Sequence, residues 1–133
     1  MDAKILAKYI ANKYYISNYK LQIVLYFIQA NYLMKTGKPY FEQPIEADSS
    51  GVFVREVYDM YDIYGSGLIP HNEEPLPEIK DTSIIASVVM QCQNRSLLHL
   101  RNIIFEQKPW KKANKSSEKI ITNQSMIDYF NVS

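Results

Sequence analysis

The sequence predicts a mainly α domain of the α+β class: about six short helices gathered round a buried central helix, with one small β element. Three features carry this. Apolar residues recur at offsets of three and four along most of the chain, the period of a helix face. One stretch, residues 21–33, is apolar nearly all the way round, as a helix enclosed by others must be. Clusters of Gly, Pro, Ser, Asn and Asp punctuate the periodic stretches. With 133 residues, 47% of them hydrophobic and 22% charged, the chain suits a single domain spanning 1–133 with one core.

In chain order, Ile5, Leu6, Tyr9, Ile10 and Tyr14 share one face of a helix over residues 3–14, with Asp2 as its N-cap. Ser17 then caps the central helix, whose stripe is Leu21, Val24, Leu25, Ile28, Tyr32 and Leu33, with Ile23, Tyr26 and Phe27 on its other sides. That helix is expected to stop at Thr36-Gly37, where Gly takes the left-handed cap and Pro39 bars continuation. Tyr40 to Ala47 reads as extended, and Pro44 suits an edge strand or bulge. Asp48-Ser49-Ser50-Gly51 is a turn. Val54, Val57, Tyr58 and Tyr61 mark a third helix, with Glu56, Asp59 and Asp62 outward and Gly65-Ser66-Gly67 ending it. Residues 68–80 hold three Pro and Glu73, Glu74 and Glu78, the composition of an irregular loop. Asp81 is expected to cap a fourth helix with the stripe Ile84, Ile85, Val88, Val89 and Cys92. A fifth follows Asn94-Arg95-Ser96 and uses Leu97, Leu98, Leu100, Ile104 and Phe105. Lys108-Pro109-Trp110 closes it and opens a short basic turn from Lys111 to Lys119. A last helix, from about Asn123 to Phe130, follows Thr122 as cap and turns Met126, Ile127 and Phe130 inward.

Composition bounds the function. The single Cys92 forms no internal disulfide and no cysteine-based metal cluster, and its place in an apolar stripe reads as a small core residue. The first residues, with Asp2 and Lys4 ahead of a helical pattern, do not show the apolar core and small-residue cleavage site of a signal peptide, and the longest apolar run, Leu21 to Ile28, is well short of the roughly 20 residues that span a bilayer. No membrane contact and a cytoplasmic location are therefore expected. Net charge is +1 but unevenly spread: residues 1–40 carry +5, residues 41–81 carry −8 and residues 82–133 carry +4. Such a distribution either steers a charged partner or reflects solvated faces that cluster. Only three of the 15 cationic residues are Arg, which reads as the codon bias of an AT-rich genome.

Catalytic constellations are lacking. His71 lies in the Pro/Glu-rich loop and His99 on an apolar helix, without the spacing of metal ligands. The serines sit in turns and caps, and Gly65-Ser66-Gly67 lacks the lysine of a phosphate loop. Asp59 and Asp62 share a helix face as a solvated acidic surface does. No catalytic, cofactor-binding or metal-binding residue is assigned, and no cofactor is expected. The stretch Lys108, Trp110, Lys111, Lys112 and Lys115 offers phosphate-neutralising cations and one ring able to stack on a base, although a Trp after Pro at a helix end is also a common core plug.

Taken together, Leu21-Gln22-Ile23-Val24-Leu25-Tyr26-Phe27-Ile28-Gln29-Ala30, Tyr32-Leu33, Gly37-Lys38-Pro39 and Phe41 resemble the signature of SocA-like antitoxins, also called the Panacea domain and found in phage-associated proteins. The likeness continues through Ile45-Glu46-Ala47, Gly51 to Tyr58, Tyr64-Gly65, Leu100, Pro109-Trp110, Ala113, Ile127 and Tyr129-Phe130, so it spans nearly the whole chain in order. The chain differs where the family has Trp (here Asp48), Gly-Pro-Val (here Gly51-Val52-Phe53) and Thr-His (here Ile104-Phe105). The resemblance implies an antitoxin that binds and neutralises a cognate toxin protein, in some members by delivering it to a protease. Such binding asks for a rigid scaffold and an exposed aromatic or charged patch. The candidate anchors are Asp59, Tyr61, Asp62 and Tyr64, with Glu73 and Glu74 of the acidic loop facing a basic toxin. The alternatives are a phage-encoded regulator or immunity factor that contacts nucleic acid through residues 108–119, and an enzyme of unknown type.

Overall fold

The computed structural model describes residues 1–131. The chain begins with α1 (Ala3–Lys13) and the long α2 (Asn18–Thr36), followed by β1 (Ile45–Asp48), β2 (Gly51–Phe53) and α3 (Arg55–Tyr61). A 3-10 turn (Asp62–Tyr64) extends α3 and a proline-rich loop follows; α4 (Thr82–Gln93), α5 (Leu97–Phe105), α6 (Lys108–Lys115), β3 (Ile120–Ile121) and α7 (Asn123–Phe130) complete the fold. Among the described residues that makes seven α-helices and one three-stranded antiparallel sheet, a mainly α fold of the α+β class.

The centre is α2. It packs against α1, α3, α4, α5, α7 and β2, and every member of its expected stripe is buried, along with Ile23 and Tyr26. Its ends are set by local chemistry. The Ser17 side chain accepts the Lys20 N–H at 3.2 Å, and Gly37 takes φ +76° while its N–H bonds the Leu33 carbonyl. Asp2, Ser96 and Thr122 cap α1, α5 and α7 in the same side-chain fashion. Asp81 does not: it precedes α4 as expected, but in left-handed backbone with no side-chain cap bond.

A helix buried on all sides must pair its own polar side chains. Gln29 donates to the Phe41 carbonyl (2.8 Å) and accepts the Tyr40 and Phe41 N–H groups (2.8 and 3.2 Å). Gln22 donates to Asn18 Oδ1 and accepts the Val54 N–H, both at 2.8 Å, while Asn18 donates to the Tyr58 carbonyl at 3.1 Å. These amides tie α2 to the irregular stretch at Tyr40-Phe41, to the β2–α3 junction at Val54 and to α3 itself at Tyr58. Among the described residues no buried side-chain nitrogen or oxygen lacks a partner.

Several expectations are corrected. The extended element is a sheet ordered β2-β1-β3, in which β1 is central; Pro44 precedes its first residue and so removes no ladder bond. The two short strands β2 and β3 gave no periodic signal, since pairing with β1 alone defines them. The basic stretch after Phe105 is helix α6 rather than a turn, because Pro109 sits in its first turn, where a missing N–H costs nothing. Ile5 and Leu98, assigned to inward stripes, are exposed. The helix count accordingly rises from six to seven.

The loop at 68–80 is irregular but laced down. Leu68 bridges Ser17, the Ile69 N–H bonds the Ile16 carbonyl at 2.9 Å, and Asn12 donates to Asn72 and to the Glu74 carbonyl. Because Ile16 and Ile69 both point into the core, the alternation of extended backbone turns Tyr15 and Leu68 outward.

Replacing Gln29 by Leu would strand the Tyr40 and Phe41 backbone groups in the core, at roughly 1–3 kcal/mol for each group left unpaired. Circular dichroism of Gln29→Leu is expected to show a melting temperature lower by about 10 °C.

Candidate functional site

Three surfaces hold the residues with chemical potential, and the sequence-derived candidates divide among them. On α3 and its 3-10 extension, Asp59, Asp62 and Tyr64 are exposed and Tyr61 is half-buried, with the Tyr61 and Tyr64 rings 6.5 Å apart. Burial holds the Tyr61 phenol above its usual range, and Tyr64 and Glu74 add to the effect, so the loop brings Glu74 to the same face. Tyr61 and Glu74 also line a hollow of about 270 Å³ between α1 and the proline loop. Glu73 is exposed in that loop. Asp62 turns instead toward Tyr58, whose phenol is raised by burial and further by Tyr19 and Asp62.

Beside this acidic and aromatic face lies an apolar one that residue spacing did not reveal. Tyr15 is 71% exposed, Ile63 84% and Leu68 60%. The segments carrying them adjoin: Leu68 pairs with Ser17, and Gly67 N–H bonds the Tyr64 carbonyl at 3.0 Å. His71 stacks on Tyr15 with ring centroids 4.5 Å apart and planes at 16°. Its Nε2 lies 2.8 Å from the Tyr14 carbonyl; since a carbonyl only accepts, that nitrogen carries the proton. His71 is thereby a structural partner of Tyr15, and His99 stands apart, exposed on α5. Among the described residues no group of His, Cys, Asp and Glu could hold a metal ion. No helix of the described residues is long and apolar enough to cross a membrane.

The basic stretch forms the outer face of α6. Lys108, Lys111, Lys112 and Lys115 are all exposed. Lys108, Lys112 and Lys115 stand four and three residues apart on one side of the helix, while Lys111 reaches Glu106 at 3.7 Å. Trp110 is committed to the fold: its indole N–H donates to the Asp48 carbonyl (3.0 Å) and the Gly51 carbonyl (3.2 Å), and its ring lies 4.6 Å from that of Phe105. Asp48, Gly51 and Phe105, from three separate stretches of the chain, thus meet around one indole.

The third surface was missed by the sequence reading. A cavity of about 190 Å³ opens between α2, the β1–β2 hairpin, α3 and α5, walled by Tyr19, Phe53 and Tyr58 and bordered by Arg55, Arg101 and Asp48. The scarcity of Arg was the available signal: two of the chain's three arginines border this cavity.

Comparison of the chain with family models, with curated proteins and with solved structures finds no match in any of the three.

Cys92 is buried on α4, and burial pushes its thiol up to about 11. At pH 8 the native protein is therefore expected to resist a thiol reagent such as DTNB, with the full single equivalent appearing only on denaturation. Fast stoichiometric labelling of the folded chain would show this side of α4 to be open.

Proposed function

We propose that this chain is an antitoxin-like binding protein that neutralises a toxin protein by covering it with the face built from Tyr15, Ile63, Tyr64 and Leu68. The observation that carries this reading is the exposure of those large apolar side chains on two adjoining, hydrogen-bonded segments. An apolar patch rimmed by polar groups is what a protein interface requires, since its centre loses water on contact and its rim supplies charge. The rim here is acidic: Asp59, Glu73 and Glu74 are exposed, with Asp62 exposed beside Tyr58. They lie in the segment of residues 41–81 that carries −8. The fitting partner is therefore a toxin with a basic surface around an apolar centre. Tyr61 and Tyr64 supply contact area with few rotamers to freeze. The sequence likeness to SocA-like antitoxins points the same way, and delivery of the bound toxin to a protease would be compatible with this use of the surface.

The test is growth of cells expressing the toxin encoded beside this chain, with and without the chain. Rescue by the parent chain, lost in Ile63→Asp and in Leu68→Asp at unchanged circular dichroism, is the expected outcome. Each of these substitutions should weaken the purified complex by about tenfold or more, the effect of charging a desolvated contact. Rescue that survives both substitutions would overturn the assignment of this face.

A second reading has one specific observation in its favour, the lysine row of α6. A phage-encoded regulator that contacts nucleic acid would use Lys108, Lys112 and Lys115 on phosphates, with Trp110 unavailable for base stacking. On this reading, retention on DNA at low salt should fall steeply with added salt, and the triple Ala variant at those lysines should lose it. Retention that ignores salt or survives the triple variant would exclude it.

A further inference from the structure

The cavity between α2, the hairpin, α3 and α5 is independent of both surfaces above, and its lining points to a ligand. Its walls are aromatic (Tyr19, Phe53 and Tyr58), and its border holds two guanidinium groups and one carboxylate. Both guanidinium groups lie over rings: Arg55 Cζ is 4.6 Å from the Phe53 centroid and Arg101 Cζ is 5.4 Å from that of Tyr19. A guanidinium held in this way keeps its N–H fork ordered, so less rotamer freedom is lost when it meets an anion.

The two arginines are unequal. Arg55 bonds Glu46 at 3.3 Å, whereas among the described residues Arg101 has no carboxylate within ion-pair distance. The remaining arginine, Arg95, is spent on the Gln91 carbonyl of its own helix. Arg101 lies beside Gly51 of the hairpin. That glycine adopts φ +132°, a region side-chain-bearing residues rarely enter, and a Cβ there would meet Arg101 Cγ at 3.9 Å, so the arginine stem lies across the bare hairpin. Asp48 is also prearranged. Its Oδ1 accepts the Ser50 N–H and hydroxyl at 2.8 and 2.9 Å, which leaves Oδ2 for a donor on a ligand.

We infer that this cavity binds a planar heteroaromatic phosphate of the size of a nucleoside monophosphate. The base packs on the cavity side of the Tyr19, Tyr58 and Phe53 cluster, whose centroids lie 6.3 and 6.0 Å apart, and the phosphate is taken by Arg101 with Arg55. Planar rings stack on aromatic walls, and phosphate matches the bidentate geometry of guanidinium. Size and charge narrow the class. At about 190 Å³ the space is below the roughly 300–1,000 Å³ that encloses a whole drug-sized ligand, so it takes the ring system alone, with sugar and phosphate at its open border beside the arginines, and has no room for a second base. Asp48 and the Glu46 partner of Arg55 offset part of the positive charge, which disfavours a triphosphate.

The experiment is a titration of the full chain, followed by amide chemical shifts, with AMP, GMP, CMP and UMP. Adenosine, inorganic phosphate and L-phenylalanine are run as separate probes. At least one monophosphate should saturate with shifts centred on Tyr19, Gly51, Phe53 and Arg101, about tenfold or more tighter than adenosine or phosphate alone, because ring and phosphate are held together. Arg101→Ala should abolish that binding, and Arg101→Lys should weaken it about tenfold by keeping the charge but losing the fork. Arg101 is half-buried at the border of the cavity, and unchanged circular dichroism establishes that both variants fold. The inference is overturned if no monophosphate shifts these amides, if phosphate alone binds as tightly, if L-phenylalanine binds in preference, or if Arg101→Ala binds normally. Because the measurement uses the chain alone, its failure leaves the toxin-binding reading untouched, and failure of toxin rescue leaves this one untouched.

Discussion

The fold is organised by one constraint: α2 is enclosed along most of its length, so its buried polar side chains have only protein to bond with. A buried amide without a partner costs more than a made hydrogen bond contributes, so the pairing is close to compulsory. Asn18, Gln22 and Gln29 satisfy it by bonding main-chain groups at Tyr40, Phe41, Val54 and Tyr58 rather than one another alone. The segments that lack regular structure are held where the central helix needs donors and acceptors. Tyr26 extends the pattern by donating to Gln107 at 2.7 Å just before α6, and burial keeps its phenol well above the usual range.

The same bonds explain why a sheet of very short strands persists. The hairpin of β1 and β2 is anchored from below by Gln22 through Val54 and from the side by the Trp110 indole on the Asp48 and Gly51 carbonyls. With its turn fixed at both ends, the hairpin becomes a rigid rim. That rim places Asp48, Gly51 and Phe53 opposite Tyr19 of α2 and Arg101 of α5, and the space between them is the cavity. A void walled by elements tied to the core is prearranged, and prearrangement is what gives a small site affinity.

The outer surfaces divide by chemistry. Exposed acids and apolar residues gather at the α3 end and the loop laced to α1, a row of lysines lies on α6, and two of the three arginines border the cavity. Arg and Lys are not equivalent in this division. Lys presents a hydrated point charge suited to long-range attraction, whereas Arg presents a flat fork suited to close recognition. The placement of the few arginines is thus more informative than the net charge of +1.

How much was legible beforehand depends on the range of the interaction concerned. Capping bonds span three or four residues, and so Asp2, Ser17, Gly37, Ser96 and Thr122 were readable as helix ends from the sequence alone. The enclosure of α2 was readable too, because apolar residues on all faces of one helix admit no other arrangement. The strands β2 and β3 were not, nor were the inward or outward turns of Ile5 and Leu98, since each is decided by a neighbour distant in sequence. Of the candidate site, Tyr61, Tyr64 and Glu74 do gather at one face, but the loop joining them is positioned by Asn12 of α1. The cavity was invisible for the same reason: Tyr19, Arg55 and Arg101 meet only after three elements have packed. Sequence alone determined the helices other than α6, most of their ends and the buried rod, because local bonds and periodic burial are written in consecutive residues. Tertiary structure alone decided which polar groups face one another, because that depends on where the rod's buried amides pull the rest of the chain.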